Sequence, residues 1–387
     1  MLDVAVRAGS LHYEDLATPA SGQLRAVFGR LLDVVVARDS RSTRSEEQLN
    51  ELCNLLLLKL ESDLRGERAP AEPVLFQPSS AGEAATGLGM REQFAALSRQ
   101  RPELFGAPRE NELALDDDTI TEAVSELCGF SLLSVRPEAI SAAFQLFRQA
   151  NLKAGEGQYF TPQRIISTAV KMMDIQPEDK IIDPACGTGG FLVEAFLRVV
   201  AQGGGERTWA HARVYGVDRD TVSVKLARAL MTSLGGGPVS IYAGDSIRAH
   251  CWAQDYPHLD AALADGSFSV VITNPPFGKN LKVSRNDSRS NSYSVAAAAA
   301  GRRVGGGADY ADTEIGLVFM ERAYRLLLKG GRLGIILPET YFFSSSYRWL
   351  PGWLDEHFVL RGFLNIPMEA FQSFCRAKTN FYIFEKI

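Results

Sequence analysis

From about residue 155 the chain alternates short apolar runs with amphipathic stretches, and this rhythm constrains its fold more than any other feature. The predicted strands are Lys180–Asp183, Arg213–Asp218, Ser240–Asp245, Phe268–Thr273 and Arg332–Leu337, with two further candidates at Leu360–Ile366 and Thr379–Phe384. The predicted helices between them cover roughly 188–202, 220–234, 314–329 and 346–357. Such alternation buries both faces of a sheet and predicts a doubly wound, mostly parallel α/β architecture. Ligands of these sheets sit outside the carboxyl ends of the strands. Every motif of chemical interest in this part of the chain falls at one of those ends.

The first part of the chain has a helical period instead. Ser21 to Asp39 places Leu24, Val27, Phe28, Leu31, Leu32 and Val35 on one face, and Ser45 to Asp63 carries Leu49, Leu52, Leu55, Leu56, Leu57, Leu58 and Leu60. Ser45 suits an N-cap, with Glu46 and Glu47 in the first turn where the helix dipole favours acids. Residues 64–88, rich in Pro, Gly and Ala, read as a loop. Thr119-Ile120-Thr121-Glu122 has the form of a capping box opening another helix. Pro137 suits the first turn of a helix reaching about Ala150. The expected division is a helical domain over 1–152, making partner or DNA contacts, and an α/β domain over 153–387.

Composition excludes several classes. No apolar run reaches the length a membrane helix requires, and Met1-Leu2-Asp3-Val4 lacks the basic-then-apolar plan of a secretory signal, so a cytoplasmic protein is expected. Cys53, Cys128, Cys186, Cys251 and Cys375 are scattered and the five histidines dispersed, which predicts neither a disulfide framework nor a metal site. Residues 1–150 hold 15 Lys and Arg against 23 Asp and Glu, while the remainder holds 26 against 23. A chain gripping DNA alone is normally more basic. Basic residues must therefore gather on one face, or another subunit must supply phosphate contacts.

The first chemical motif is Asp183-Pro184-Ala185-Cys186-Gly187-Thr188-Gly189-Gly190-Phe191. Its glycines follow a predicted strand and open a helix, so the backbone can turn sharply and approach a ligand. No Lys-Ser or Lys-Thr pair follows them, which excludes a phosphate-cradling P-loop. Asp218 ends the next strand, beside Arg219, where a carboxylate can accept from both hydroxyls of a ribose. Asp245, followed by Ser246, ends the third, where it could accept from an adenine amino group. Three acids at three successive strand ends beside a glycine turn form a site rather than a set of caps.

The second motif is Asn274-Pro275-Pro276-Phe277, directly after Phe268–Thr273. An exocyclic amino group of a nucleobase is a poor nucleophile because its lone pair is delocalised into the ring. Two acceptors aimed at its N–H bonds, the Asn274 side-chain oxygen and the Pro275 carbonyl, would localise that pair. Prolines stiffen the turn, and acceptors fixed in advance act electrostatically without reorganisation. Phe277 offers a flat face for a base swung out of the duplex. Residues 278–309 follow, with Lys279, Lys282, Arg285, Arg289, Arg302, Arg303, alanines 296–300 and Gly305-Gly306-Gly307. This segment reads as a mobile basic loop closing over DNA, or as a solvated insertion.

The glycine motif resembles the S-adenosylmethionine site of class I methyltransferases. Gly157-Gln158-Tyr159-Phe160-Thr161-Pro162 resembles the additional cofactor motif that precedes it in N6-adenine DNA methyltransferases. The order of motifs, with Gly330-Gly331-Arg332-Leu333-Gly334-Ile335-Ile336-Leu337-Pro338 and Ala377-Lys378-Thr379-Asn380-Phe381 following, is similar to the modification subunits of type I restriction–modification systems from about residue 110 onward. The resemblance implies a Rossmann-like, mostly parallel seven-stranded sheet preceded by helices. It also implies S-adenosylmethionine as cofactor, held by Gln158, Tyr159, Phe160, Thr161, Pro162, Asp183, Ala185, Cys186, Gly187, Thr188, Gly189, Gly190, Asp218, Arg219, Asp245, Ser246 and Asn274. Asn274, Pro275, Pro276 and Phe277 would be catalytic, and Lys378-Thr379-Asn380 would help shape the adenine pocket.

The expected reaction is methyl transfer to the N6 amino group of adenine in DNA. The expected partners are DNA, a specificity subunit and a restriction or helicase subunit. The sequence stops at Ile387, just after the last predicted strand, where such subunits usually continue into a helical tail. Target recognition is accordingly expected from a partner, or the chain is a truncated or divergent form. An RNA-base or protein-glutamine methyltransferase of the same fold also uses Asn-Pro-Pro followed by an aromatic, more often Tyr. A non-catalytic assembly subunit is the remaining alternative.

Overall fold

A computed structural model describes residues 10–38, 45–101, 112–135, 139, 143, 146, 161–203, 212–235, 240–301, 309–371 and 378–387. The chain divides into two compact units: Met1–Glu156 with Thr221–Val239, and Gly157–Asp220 with Ser240–Ile387. The helix Thr221–Gly235, which chain order places between two strands of the sheet, thus falls in the first unit.

The first unit is helical, with Ser21–Arg38, Ser45–Arg68, Glu83–Gln100, Asp117–Leu127 and Thr221–Gly235. Leu52 and Leu55 to Leu58 are all buried, so the second helix is enclosed on more than one side. Its charges are paired: Lys59 donates to Asp63 at 2.6 Å with both side chains buried, and Asp63 also accepts from the Leu132 N–H at 2.8 Å. Lys225 donates to Asn50 Oδ1 at 2.6 Å and to Asn54 Oδ1 at 3.4 Å.

Some boundaries differ from those the sequence predicts. The helix expected to end near Asp63 continues to Arg68 and the next begins at Glu83, so only 69–82 of the proposed loop is irregular. Gly and Ala there are tolerated because the helix faces bury apolar surface, which outweighs weak propensity. The helix expected to open at Thr119 begins at Asp117, because the Asp116 carboxylate accepts from the Thr119 N–H at 2.7 Å and is the better placed cap. Most of the helix expected after Pro137 lies outside the described residues.

The second unit is built on a seven-stranded sheet. Its strands are β1 (Ile181–Asp183), β2 (Val214–Asp218), β3 (Ser240–Ala243), β4 (Phe268–Thr273), β7 (Leu327–Pro338), β8 (Phe358–Asn365) and β9 (Thr379–Lys386), and a separate ribbon pairs β5 (Lys282–Val283) with β6 (Thr313–Glu314). The sheet order is β3-β2-β1-β4-β7-β9-β8. β3, β2, β1, β4 and β7 run parallel, whereas β9 is antiparallel to both neighbours. The apolar runs expected as strands are strands, and Val217, Val271, Leu333 and Ile335 lie in the core. β7 starts earlier than expected, at Leu327, and β3 ends at Ala243, two residues before Asp245.

Residues 278–309 differ most from expectation. Rather than one loop, they contain β5 and the helices Arg285–Ser290 and Ser294–Gly301, with Tyr293, Val295 and Ala296 buried. Burial of these side chains supplies the driving force that a solvated insertion lacks. Residues 302–308, with Arg302 and Arg303, lie outside the described residues.

Close packing of β7 on β9 leaves no room at Gly334, where a Cβ would run into Phe381 Cζ and sit 2.6 Å from Met173 Sδ. Overpacking of this kind costs ~1–3 kcal/mol. Gly334→Ala is expected to lower the melting temperature of the chain, and Phe381→Leu in the same protein to recover part of the loss, both read by thermal unfolding.

Candidate functional site

Parallel pairing of β1 with β4 (Ile181↔Val270, Ile182↔Val271) and with β2 (Asp183↔Gly216) brings three strand ends together at one edge. The glycine turn leaves β1 there. Gly187 has φ 50 and Gly189 φ 82, left-handed values that favour glycine, and Gly190 begins the helix Gly190–Ala201. The turn is tied to its neighbours: the Cys186 N–H donates to the Val217 carbonyl at 2.9 Å and the Gly187 N–H to Asp218 Oδ2 at 2.7 Å. Gly216 on β2 makes the approach possible, since a Cβ there would stand 2.6 Å from Leu192 Cδ1 and 3.0 Å from Cys186 Sγ.

The acids are held by backbone donors. Asp183 is buried and its Oδ1 accepts from the Ala185 N–H at 3.0 Å. Burial pushes its carboxyl up to about 7. Asp218 accepts from Gly187 on Oδ2 and from the Asp220 N–H on Oδ1 at 2.9 Å, and burial raises its carboxyl too. The Asp218 carboxylate is thus oriented by backbone donors at both oxygens. Asp245 Oδ1 accepts from the Ile247 N–H at 3.1 Å, and the largely exposed Arg219 sits 3.8 Å from Asp245 Oδ2. The Ser246 hydroxyl donates to the Pro184 carbonyl at 2.5 Å, joining the β3 end to the β1 end.

At the end of β4 stands Asn274. Its Nδ2 donates to Thr161 Oγ1 at 2.9 Å, while its Oδ1 is buried and without a hydrogen-bond partner. A buried unpaired acceptor is costly unless a ligand uses it. Thr161 is itself buried, and the Pro162 carbonyl starts the helix Gln163–Met172 by accepting from Ile165 and Ile166 N–H groups. Thr161 was expected among the cofactor residues; in the structure its hydroxyl orients the Asn274 amide. The two residues stand 113 positions apart, and no spacing pattern signals such a pair. Gln158, Tyr159 and Phe160 lie outside the described residues.

Phe277 was expected to offer a flat face to a base; in this structure its side chain is 1% exposed. Burying a phenyl ring stabilises by ~1.5–3 kcal/mol, and here the ring anchors the turn in which Pro275 is also buried. The late motif reaches the same edge because β9 is antiparallel: Thr379 pairs with Pro338 and Asn380 with Leu337. Asn380 Nδ2 donates to the Tyr382 hydroxyl at 3.1 Å and leaves its buried Oδ1 unpartnered, while Lys378 pairs with Glu339 at 3.0 Å.

Oriented carboxylates, a glycine turn without a lysine, and an orphaned amide oxygen fit a nucleoside carrying hydroxyls and positive charge, and do not fit a polyphosphate. Among the described residues, no three His, Cys, Asp or Glu side chains stand where they could hold a metal ion, and no helix is long and apolar enough to cross a membrane.

The raised Asp183 carboxyl has a pH consequence. Unfolded, it ionises near its ordinary value of ~3.9, and folded, at about 7. Between those values the folded chain holds a proton that the unfolded chain has lost, so this group's contribution to stability declines as pH rises through the window and then levels off. Asp183→Asn keeps an acceptor for the Ala185 N–H. It is expected to flatten the decline, measured as a smaller difference in melting temperature between pH 5 and pH 8 than in the unaltered chain.

The model of the family described as N-6 DNA Methylase matches residues 143–387. The Type II methyltransferase M.VspI of Vibrio sp. (strain 343) is 26% identical over 266 residues, covering 66% of this chain and 55% of that protein. The crystal structure of a modification subunit of a putative type I restriction enzyme from Vibrio vulnificus YJ016 superposes with a TM-score of 0.67 at 19% identity, over 96% of this chain and 83% of that one. A putative class I S-adenosylmethionine-dependent methyltransferase from Listeria monocytogenes superposes with a TM-score of 0.53 at 18% identity, over 86% and 87%. These likenesses identify the fold of the second unit's sheet and helices as the class I methyltransferase fold. The chain spans about half the length of the curated relatives it matches. With a family match over more than half of its residues, reaching across the glycine turn and the Asn274 turn alike, the chain belongs to the N-6 DNA Methylase family.

Proposed function

We propose that this chain transfers a methyl group from S-adenosylmethionine to the exocyclic N6 amino group of adenine in DNA. One observation carries the proposal: at the end of β4, beside the glycine turn of β1, Asn274 spends its amide N–H on Thr161 and keeps a buried oxygen without a partner. That oxygen and the Pro275 carbonyl are the two acceptors an aromatic amine needs. Accepting from both N–H bonds, they draw the nitrogen's lone pair out of the ring and favour tetrahedral geometry. After attack the methylated nitrogen carries one proton too many, which stays hydrogen-bonded to one of these oxygens until it is released to solvent. Because Thr161 and the proline turn fix them beforehand, little reorganisation is needed at the moment of reaction.

The residues that would hold the cofactor are the glycine turn 187–190, Asp218 for ribose hydroxyls, and Asp245 with Ser246 for the adenine. When bound, the cofactor supplies an electrophilic methyl group on a sulfonium. Family membership supports adenine in DNA as the acceptor, and relatives named as methylase subunits support a role as the modification subunit of a larger assembly. We read the helical first unit as the part that meets DNA or partners, with another subunit supplying sequence recognition and a restriction or helicase subunit completing the assembly.

The direct test is incubation with labelled S-adenosylmethionine and DNA, RNA or protein, followed by nucleoside and amino-acid analysis. Label in N6-methyladenine of DNA is expected, and label in RNA or in glutamine alone would overturn the assignment. Asn274→Ala is expected to cut transfer by a factor of about 100 or more, on the scale of losing an electrostatic stabiliser, with the cofactor Kd within about threefold. Thr161→Val frees the Asn274 amide and is expected to lower kcat about tenfold, ~1.4 kcal/mol in the barrier.

A further inference from the structure

The helix Ile315–Leu326 belongs to the apolar core of the second unit, yet its last two turns carry Glu321, Arg322 and Arg325. Glu321 and Arg322 are buried. Burying such charges is costly unless good geometry offsets it, so their partners are informative. Arg322 lays its guanidinium over the Trp252 indole, 4.6 Å from the ring centroid, and donates from Nη1 to Asp265 at 2.8 Å. Arg325 lies over the Tyr293 ring at 4.7 Å and donates to the Asn291 and Ser292 carbonyls at 2.7 and 2.6 Å. Glu321 accepts from the Ser294 and Val295 N–H groups at 3.0 and 2.7 Å. Together these contacts pin the turn that carries Tyr293, where Ser292 adopts φ 54.

Both aromatic rings aim their polar tips at one short loop. Trp252 Nε1–H donates to the Asp245 carbonyl at 2.8 Å, and the Tyr293 hydroxyl donates to the Ile247 carbonyl at 2.6 Å. Burial raises the Tyr293 hydroxyl above its ordinary pKa, so it remains a donor across the physiological range. The same stretch is tied sideways as well. Arg248 pairs with Asp287 at 2.9 Å, and the His250 N–H donates to Asn291 Oδ1 at 3.1 Å. A segment expected as a loop closing over DNA or as a solvated insertion thus grips the loop after β3.

We propose that Trp252 and Tyr293, each backed by an arginine of the helix Ile315–Leu326, are positioning residues that hold Asp245 in the conformation that receives the cofactor's adenine. Arg322 and Arg325, three residues apart, project from neighbouring positions of the helix surface, and their two rings reach carbonyls two residues apart. The side chain of Asp245 is then fixed from its own backbone outward. This inference rests on the cofactor reading given above.

Two substitutions in the full chain remove the donors, the second together with part of the ring that Arg322 covers. Tyr293→Phe deletes the hydroxyl and Trp252→Phe the indole N–H. Calorimetry with S-adenosylmethionine is expected to show about fivefold weaker binding for each, the size of one lost hydrogen bond, with the KM for DNA unchanged. Amide hydrogen exchange over residues 244–248, measured without cofactor, is expected to quicken by a similar factor. A lowered melting temperature with cofactor affinity and loop exchange both at the level of the unaltered chain would assign these residues to packing alone and overturn the proposal. Failure of the methyltransferase reading is distinct: the unaltered chain would bind no S-adenosylmethionine, while exchange at 244–248 would still report whether the two donors hold the loop.

Discussion

The parallel pairing of β1 with β4 is the constraint on which the site depends. Adjacent strands lie ~4.8 Å apart, and the register Ile181↔Val270 makes both strands end at the same edge. The glycine turn and the Asn274 turn leave that edge side by side, although they are separated by more than 80 residues of sequence. A shift of register would move Asp183 and Asn274 apart and reverse which side chains face the core. The Asp218 and Asp245 positions follow from the same arrangement, since β2 and β3 continue the parallel order outward. The glycine turn, the flanking acids and the Asn274 turn are thus set by one set of ladder hydrogen bonds.

This edge concentrates groups that a folding chain would gain by avoiding. Asp183 is buried with its carboxyl raised, and Asn274 and Asn380 each bury an amide oxygen without a partner. Each costs free energy that the surrounding apolar packing must offset. Local conflict of this kind, inside a sheet whose other residues agree with their positions, is what a functional edge looks like in physical terms. In the helical unit the buried Lys59 is paired to Asp63 and Lys225 to Asn50.

The sheet could be read from sequence because its signal is local. Each strand is a short apolar run, such as Phe268–Thr273, and each run ends in residues with a distinct chemistry. Asp183, the glycine turn and Asn274 were readable for the same reason. Non-local facts were not. Nothing in the neighbourhood of Thr161 indicates that it orients Asn274, and a lone Trp252 or Tyr293 reads as core filling until its polar tip has a partner. Phe277 beside two prolines suits an exposed platform and a buried anchor equally well, and only packing decides between them. The alanines and glycines of 278–309 hide the helix Ser294–Gly301 because they lack a periodic apolar face, whereas the fold holds that segment through Glu321 and Arg325.

The placement of β9 has a consequence for how the chain is made. β7 and β8 precede it in sequence yet do not pair with each other, and β9 inserts between them. During synthesis from the N-terminus both strands must wait, each presenting an open row of backbone donors and acceptors, until residues 379–386 emerge. Open rows of this kind invite pairing with foreign strands, and long-range insertion is slow. The nascent protein therefore passes through an interval in which its sheet is most exposed to misassociation, and a chaperone acting then would shelter the β7 and β8 flanks.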